Sequence, residues 1–257
     1  WFPQGSLAQG GDGALYGITY SGEGGVQGTI FKVQPNGSGF TVLKHFTSND
    51  GRAPSAGLTA AGNTLYGTTA YGGSTDFGTV FRINTDGTGY TVLKHFTYGN
   101  GANPSAELTR VGGTLYGTTS TEGSSGYGTV FKVNTDGSGF VVLKHFTGSD
   151  GSSPLARLAQ VGTTLYGTTS AGGSSGYGTV FKVNTDGTGF AVLKQFTGSD
   201  GRFPSAGLTL VGSALHGTTR LGGGSGFGTV FTMNTNGTGY TVLKHFSGTD
   251  GKFPYAG

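Results

Sequence analysis

The chain contains no cysteine. That excludes a disulfide framework, a thiolate zinc site and a cysteine nucleophile together. Only seven prolines occur in 257 residues, which argues against a polyproline II rod. Charged residues make up 11% of the chain, with a net charge of +3 and no run of lysine or arginine. Nucleic-acid binding needs a basic stripe, so no nucleic-acid partner is expected. No apolar stretch approaches the ~20 residues of a membrane-spanning helix, and no signal peptide is visible, so membrane insertion is not expected either. Low charge would suit disorder if apolar residues were also scarce. The 12 tyrosines and 18 phenylalanines recur at fixed places instead, so a folded protein follows.

What is present is glycine, 55 residues of it without a Gly-X-Y period, and repetition. Leu15-Tyr16-Gly17 recurs as Leu65-Tyr66-Gly67, Leu115-Tyr116-Gly117, Leu165-Tyr166-Gly167 and Leu215-His216-Gly217. Each copy is followed by Gly-Thr-Val/Ile-Phe, beginning at Gly28, Gly78, Gly128, Gly178 and Gly228, and then by Val-Leu-Lys-His/Gln-Phe, beginning at Val42, Val92, Val142, Val192 and Val242. A helix-free repeat of this length means sheet units, each too small to bury its own apolar face.

Residues 54–103 show the unit. Pro54 to Ala61 is predicted as a short strand rich in small residues, ended by Gly62-Asn63. Thr64 to Thr69 is a second strand with Leu65 and Tyr66 on opposite faces, Gly78 to Asn84 a third, and Tyr90 to Phe96 a fourth. Asp86-Gly87 joins the last two, and Asx-Gly between alternating apolar segments is a strong hairpin signal. Four antiparallel strands followed by a crossing to the next four is the logic of a β-propeller blade. The predicted fold is all-β: a five-bladed β-propeller of four-stranded antiparallel blades in one domain, 1–257. Its units are approximately 1–51, 52–101, 102–151, 152–201 and 202–251, with 252–257 overlapping the start of the repeat. A parallel β-helix is the alternative, but its rungs are shorter and lack Asx-Gly hairpins.

Leu-Tyr-Gly-Thr-Thr, a Gly-Gly loop and Gly-Thr-Val-Phe-Lys-Val-Asn-Thr-Asp-Gly, as in Leu115 to Gly137 and Leu165 to Gly187, resemble the Gloeo-Verruco (GloVer) tandem repeat. The resemblance covers all five units and is weakest at the first, where Gln27 replaces the aromatic; His216 and Thr232 also depart from the pattern. It implies an exported, surface-displayed bacterial protein of the kind that varies in its C-terminal anchor, and it supplies no activity or catalytic residue. The strand order is also similar to that of NHL-type propeller blades, an analogy of architecture alone.

Repetition weighs against catalysis. His45, His95, His145 and His245 share one repeat position with Gln195, and equivalent positions on a ring do not converge on one metal ion. They read as packing residues, with no metal and no cofactor expected. Asp86, Asp136 and Asp186 are turn residues first. The non-repeated acids Asp12, Glu23, Asp76, Glu107 and Glu122 lie on different loops, whereas a glycosidase needs two differently tuned carboxylates on one cleft. No catalytic residue is assigned, and the chain is read as not an enzyme.

The longer connections are more informative. In a four-stranded blade the second-to-third loop and the blade-to-blade crossing share a face. That face gathers Phe77, Tyr127, Tyr177 and Phe227 with Asp50, Asn100, Asp150, Asp200 and Asp250, a set suited to stacking on sugar rings and hydrogen bonding their hydroxyls. The alternative is that the aromatics only fill gaps between blades. The expectation is a secreted or cell-surface, non-catalytic binding and display module with polysaccharide as the favoured ligand. The other reading is a structural subunit of a self-assembling surface layer or filament, a homo-oligomer joined through the repeated hexapeptide. Trp1, Phe2 and Pro3 occupy the same repeat phase as Phe253, Pro254 and Tyr255. In a closed ring the two copies compete for one place, so the surplus end is expected to splay outward as a handle or to mark a cut from a longer chain.

Overall fold

The computed structural model describes residues 3–22 and 25–255. The described strands form five four-stranded antiparallel sheets, each a simple meander. Sheet one holds β1 (Pro3–Gln9), β2 (Leu15–Thr19), β3 (Thr29–Val33) and β4 (Thr41–His45). Sheet two holds β5 (Thr59–Ala61), β6 (Thr64–Thr69), β7 (Thr79–Asn84) and β8 (Thr91–His95). Sheet three holds β9 (Thr109–Val111), β10 (Thr114–Thr119), β11 (Thr129–Asn134) and β12 (Val141–His145). Sheet four holds β13 (Ala159–Val161), β14 (Thr164–Thr169), β15 (Thr179–Asn184) and β16 (Ala191–Gln195). Sheet five holds β17 (Thr209–Val211), β18 (Ala214–Thr219), β19 (Thr229–Asn234) and β20 (Thr241–His245). The fold is the five-bladed β-propeller expected from the repeat. Two compact units make up the chain: residues 1–119 with 131–141, and residues 120–130 with 142–257.

The first strand and the hairpin after the third depart most from expectation. The first strand of blades two to five shrinks to three residues, because the segment before it is not extended throughout. Ala53, Asn103, Ser153, Phe203 and Phe253 all sit at one repeat position with φ of 54–58°. The hairpin after the third strand also has its own form. Gly87 is left-handed (φ 87°) and its N–H donates to the Asn84 carbonyl at 2.9 Å. Asp86 Oδ1 accepts from the Thr88 backbone and hydroxyl at 2.9 and 2.7 Å. A single left-handed residue closing the turn is the three-residue hairpin, in which glycine carries the bulge.

The two most repeated words turn out to be one steric unit. Gly67 lies opposite Phe81 in the β6–β7 ladder. A Cβ on Gly67 would come within 2.5 Å of Phe81 Cζ and 2.9 Å of Leu58 Cδ2. The glycine of Leu-Tyr-Gly therefore makes room for the phenylalanine of Gly-Thr-Val-Phe. Gly17, Gly117, Gly167 and Gly217 meet Phe31, Phe131, Phe181 and Phe231 in the same way.

The core is distributed between successive blades. In blades one, two, four and five the third and fourth strands slip by one residue, which leaves Leu43, Leu93, Leu193 and Leu243 as bulged residues. A bulge re-aims its side chain. Leu43 and Leu193 reach the hairpin glycine of the next blade, Gly87 and Gly237. Beside them Phe46 packs on Phe81 and Tyr90 with ring centroids at 5.3 and 6.1 Å. Phe96, Phe146 and Phe196 repeat this with Phe131 and Phe140, Phe181 and Phe190, and Phe231 and Tyr240. Lys44, Lys94, Lys144 and Lys194 lie over the second ring of each set at 4.2–4.6 Å.

Candidate functional site

The crossing between blades is shaped by its acidic residue. Asp150 Oδ1 accepts from the Thr147 amide at 2.9 Å, and Oδ2 pairs with Lys144 at 2.5 Å. Asp50 and Asp200 hold Thr47 and Thr197 and pair with Lys44 and Lys194 in the same way. Asp250 holds Ser247 and pairs with Lys244 at 2.5 Å, and this contact keeps its carboxyl at about 2. Asn100 keeps the backbone contact, 2.8 Å to the Thr97 amide, without supplying a charge. Burial then holds the Lys94 ammonium below the usual lysine range. The repeated acids are thus turn locks, already engaged by the protein.

The repeated aromatics do come together with these crossings. A Cβ on Gly148 would meet the Tyr127 ring at 3.0–3.3 Å, so one side of that ring lies against the crossing. Tyr127 is still 44% exposed. Tyr177 and Phe227 approach Gly198 and Gly248 in the same manner. Three of the rings also meet a second aromatic that the sequence reading missed. Phe77 pairs with Tyr98 at 6.4 Å, Tyr177 with Phe203 at 6.1 Å, and Phe227 with Phe253 at 5.9 Å, all edge to face. Arg202 lies near both Tyr177 and Phe203, at 5.9 and 5.8 Å. In unit one Gln27 instead accepts a hydrogen bond from Ser48 at 3.0 Å.

A cleft of 310 Å³ lies nearby in the second unit, lined by Leu155, Ser170, Phe203, Ser205, Arg220 and Tyr255. Arg220 sits 5.3 Å from the Tyr255 ring centroid. Leu155, Ser205 and Tyr255 share one repeat position, where Ser55 and Ser105 stand in the earlier units, so the chemistry of that position varies along the chain.

The repeated histidines have a definite role. His95 Nδ1 accepts the Ser74 amide, His145 the Ser124 amide and His245 the Gly224 amide, each at 3.1 Å. Gln195 Oε1 accepts the Ser174 amide at 2.5 Å. The position needs an acceptor for the second-to-third loop, which glutamine supplies as well as neutral imidazole. Burial and then the nearby Lys144 charge hold the His145 pKa below its ordinary value of 6.5. A depressed pKa means that the unfolded chain takes up the proton first, so stability is full above about pH 6.5 and declines as pH falls below it. The melting temperature should therefore drop on acidification from pH 7.5 to 5, and His145→Gln should flatten part of that slope. An identical slope in the variant would show that the imidazole acceptor is not involved.

The non-repeated acids are held apart. Asp12 bonds Lys32 at 2.7 Å and the Tyr16 hydroxyl at 2.8 Å, and these two hold its carboxyl at about 2. Asp76 pairs with Arg52 at 2.8 Å, and Glu107 accepts from Ser6 at 3.2 Å. Glu122 takes a left-handed backbone, φ 60°, and Glu23 lies outside the described residues.

Trp1 and Phe2 also lie outside the described residues. The described parts of the repeated hexapeptide each have partners close to them in the chain. Pro3 opens β1 and pairs with Thr19. The Phe253 amide donates to the Phe227 carbonyl at 2.9 Å, and Pro254 packs on Gly228, as Phe203 and Pro204 do on Tyr177 and Gly178.

Among the described residues no helix is long and apolar enough to cross a membrane. The chain is similar to one in a nidogen/laminin complex, at 18% identity and a TM-score of 0.64, over 99% of this chain and 83% of that one. It is also similar to a GH74 enzyme of Niastella koreensis, at 20% identity and a TM-score of 0.62, over 89% of this chain and 36% of that one. A third similar structure is TolB from Acinetobacter baumannii, at 16% identity and a TM-score of 0.57, over 90% and 52% of the two chains. At such identities these likenesses speak to the fold alone. No curated protein matches the chain. Residues 1–173 and 161–257 match the Gloeobacter/Verrucomicrobia repeat, and the chain belongs to that family.

Proposed function

We propose that the chain is a non-catalytic binding and display module, secreted or held at the cell surface, whose ligand is a polysaccharide. The observation that carries this reading is the recurrence of an aromatic ring resting on three of the crossings, at Gly148, Gly198 and Gly248, with Tyr127 left 44% exposed. A ring fixed on one side and open on the other is a platform for the CH face of a sugar. Phe77, Tyr177 and Phe227 add further platforms, with Tyr98, Phe203 and Phe253 set edge-on beside them. The turn carboxylates Asp150, Asp200 and Asp250 and the amide of Asn100 belong to the same crossings as these rings, and Asp50 to the crossing that has Gln27 in place of a ring. An ionised carboxylate has about four acceptor sites, so those engaged by lysine and backbone can still receive a sugar hydroxyl. Weak sites repeated along one chain gain by avidity on a repeating ligand.

Affinity electrophoresis through gels containing β-glucan, galactan or mannan tests the reading. Tyr127→Ala should reduce retardation by a loss of about 1 kcal/mol, roughly fivefold in affinity at that site. Its melting temperature should fall by a few degrees at most, because the side chain is only partly buried. A parent retarded by no polysaccharide, or a variant retarded as strongly as the parent, counts against the proposal.

A further inference from the structure

Blades two and five carry the same arginine, but only blade two carries its acid. Arg52 and Arg202 share one repeat position, and each exchanges two backbone hydrogen bonds with a residue of the second-to-third loop, Tyr71 and Leu221. In blade two Arg52 donates through Nε and Nη2 to the two oxygens of Asp76, at 3.1 and 2.8 Å, and lies over the Tyr71 ring at 4.9 Å. This is the forked pairing of guanidinium with carboxylate. In blade five the residue at the place of Asp76 is Gly226. A Cβ on Gly226 would meet nothing within 4 Å, so the space in which the Asp76 side chain starts is open there.

The consequence falls on Arg202. Its Nε is buried without a hydrogen-bond partner, and among the described residues its guanidinium forms no ion pair. A buried donor left unmade is costly, and a missing bound group is one of the few accounts of it. The surroundings are aromatic: Arg202 Cζ lies 5.9 Å from the Tyr177 centroid and 5.8 Å from that of Phe203, and the two rings meet edge to face at 6.1 Å. Phe203 also lines the 310 Å³ cleft together with Arg220, whose amide donates to the Phe203 carbonyl at 3.2 Å. Ser205 Oγ, from the lining of the same cleft, is buried without a partner as well. The acids of the adjoining crossings are committed to lysines, Asp200 to Lys194 and Asp250 to Lys244. Two arginines beside one ring therefore have no counter-charge among the described residues.

We propose that Arg202 binds the carboxylate of a uronic acid residue in an acidic polysaccharide. The carboxylate takes on Arg202 the part that Asp76 takes on Arg52, accepting from Nε and Nη2 together. To do so the Arg202 side chain turns toward Gly226, as Arg52 turns toward Asp76. The sugar ring lies against Tyr177 and Phe203, and Arg220 supplies a second positive charge for a further uronate of the same chain. The inference rests on the polysaccharide reading and makes the ligand of this blade an acidic one.

Affinity electrophoresis of the full chain through gels containing polygalacturonan, or the same polymer with its carboxyl groups reduced, tests this. The parent should bind the acidic polymer about tenfold more tightly, the range expected of hydrogen bonds to a charged group. Arg202→Gln should lose that preference. Gly226→Asp should lose it too, because a carboxylate built into the chain engages Arg202 in the ligand's place. That variant should not melt below the parent, since Asp76 holds the same left-handed backbone in blade two, φ 61° against 82° for Gly226. Arg110→Gln, which removes an exposed charge from blade three, should keep the preference. A parent that binds the reduced polymer, or another neutral polysaccharide, as tightly as the acidic one overturns the inference and leaves the polysaccharide reading standing. A parent held by none overturns both. Retention of the preference in Arg202→Gln and Gly226→Asp overturns the inference, as does an equal loss in Arg110→Gln, which would assign binding to net charge.

Discussion

Phe146→Ala should lower the stability of the chain by about 3–5 kcal/mol, the usual cost of emptying a buried phenylalanine site. At this chain length that is roughly 10 °C in melting temperature. Phe146 is completely buried and packs on Phe181 and Phe190 at 5.1 and 6.1 Å. Phe246 occupies the same repeat position with its ring half-buried, and Phe246→Ala should lose less than half as much in the monomer. The comparison separates sequence from environment, because the two residues sit in nearly identical words. Equal losses, measured by chemical denaturation at low protein concentration, would show that the two ring environments do not differ as described.

Gly167→Ala should be destabilising by about 1–3 kcal/mol through overpacking. The sign matters, since replacing a glycine of ordinary φ by alanine otherwise gains roughly 0.4–1 kcal/mol from the unfolded chain. Here a Cβ would lie 2.5 Å from Phe181 Cζ and 2.8 Å from Leu158 Cδ2, and both neighbours are buried. Phe181→Leu in the Gly167→Ala background should recover part of the loss, because residues in contact do not add independently. A stabilised Gly167→Ala variant, or strict additivity in the pair, would contradict the steric coupling of the two repeat words.

The strand order, the Asx-Gly hairpins and the grouping of aromatics with crossings were legible in the sequence because they depend on local rules repeated five times. Residue 54 onward was read as a longer strand because nothing in Ala53, Ser153 or Phe203 announces a left-handed backbone; only Asn103 is a residue type that favours it. The bulged leucines were hidden in Val-Leu-Lys, which alternates well enough to pass as a regular strand. The partners of the platform rings were missed because Tyr98 and Phe203 fall at different positions of the crossing. Gln195 was the signal for the histidine position, since a glutamine among four histidines points to a shared acceptor rather than a metal ligand.

Polysaccharide binding at the repeated rings is tested most directly by amide NMR of the deuterated full chain, titrated with short β-glucan, galactan or mannan oligosaccharides. Gly148, Gly198 and Gly248, the glycines on which Tyr127, Tyr177 and Phe227 rest, should shift together as one ligand is added, with little change around Gln27. Shifts confined to a single place remote from these crossings, or none with any oligosaccharide, would contradict it.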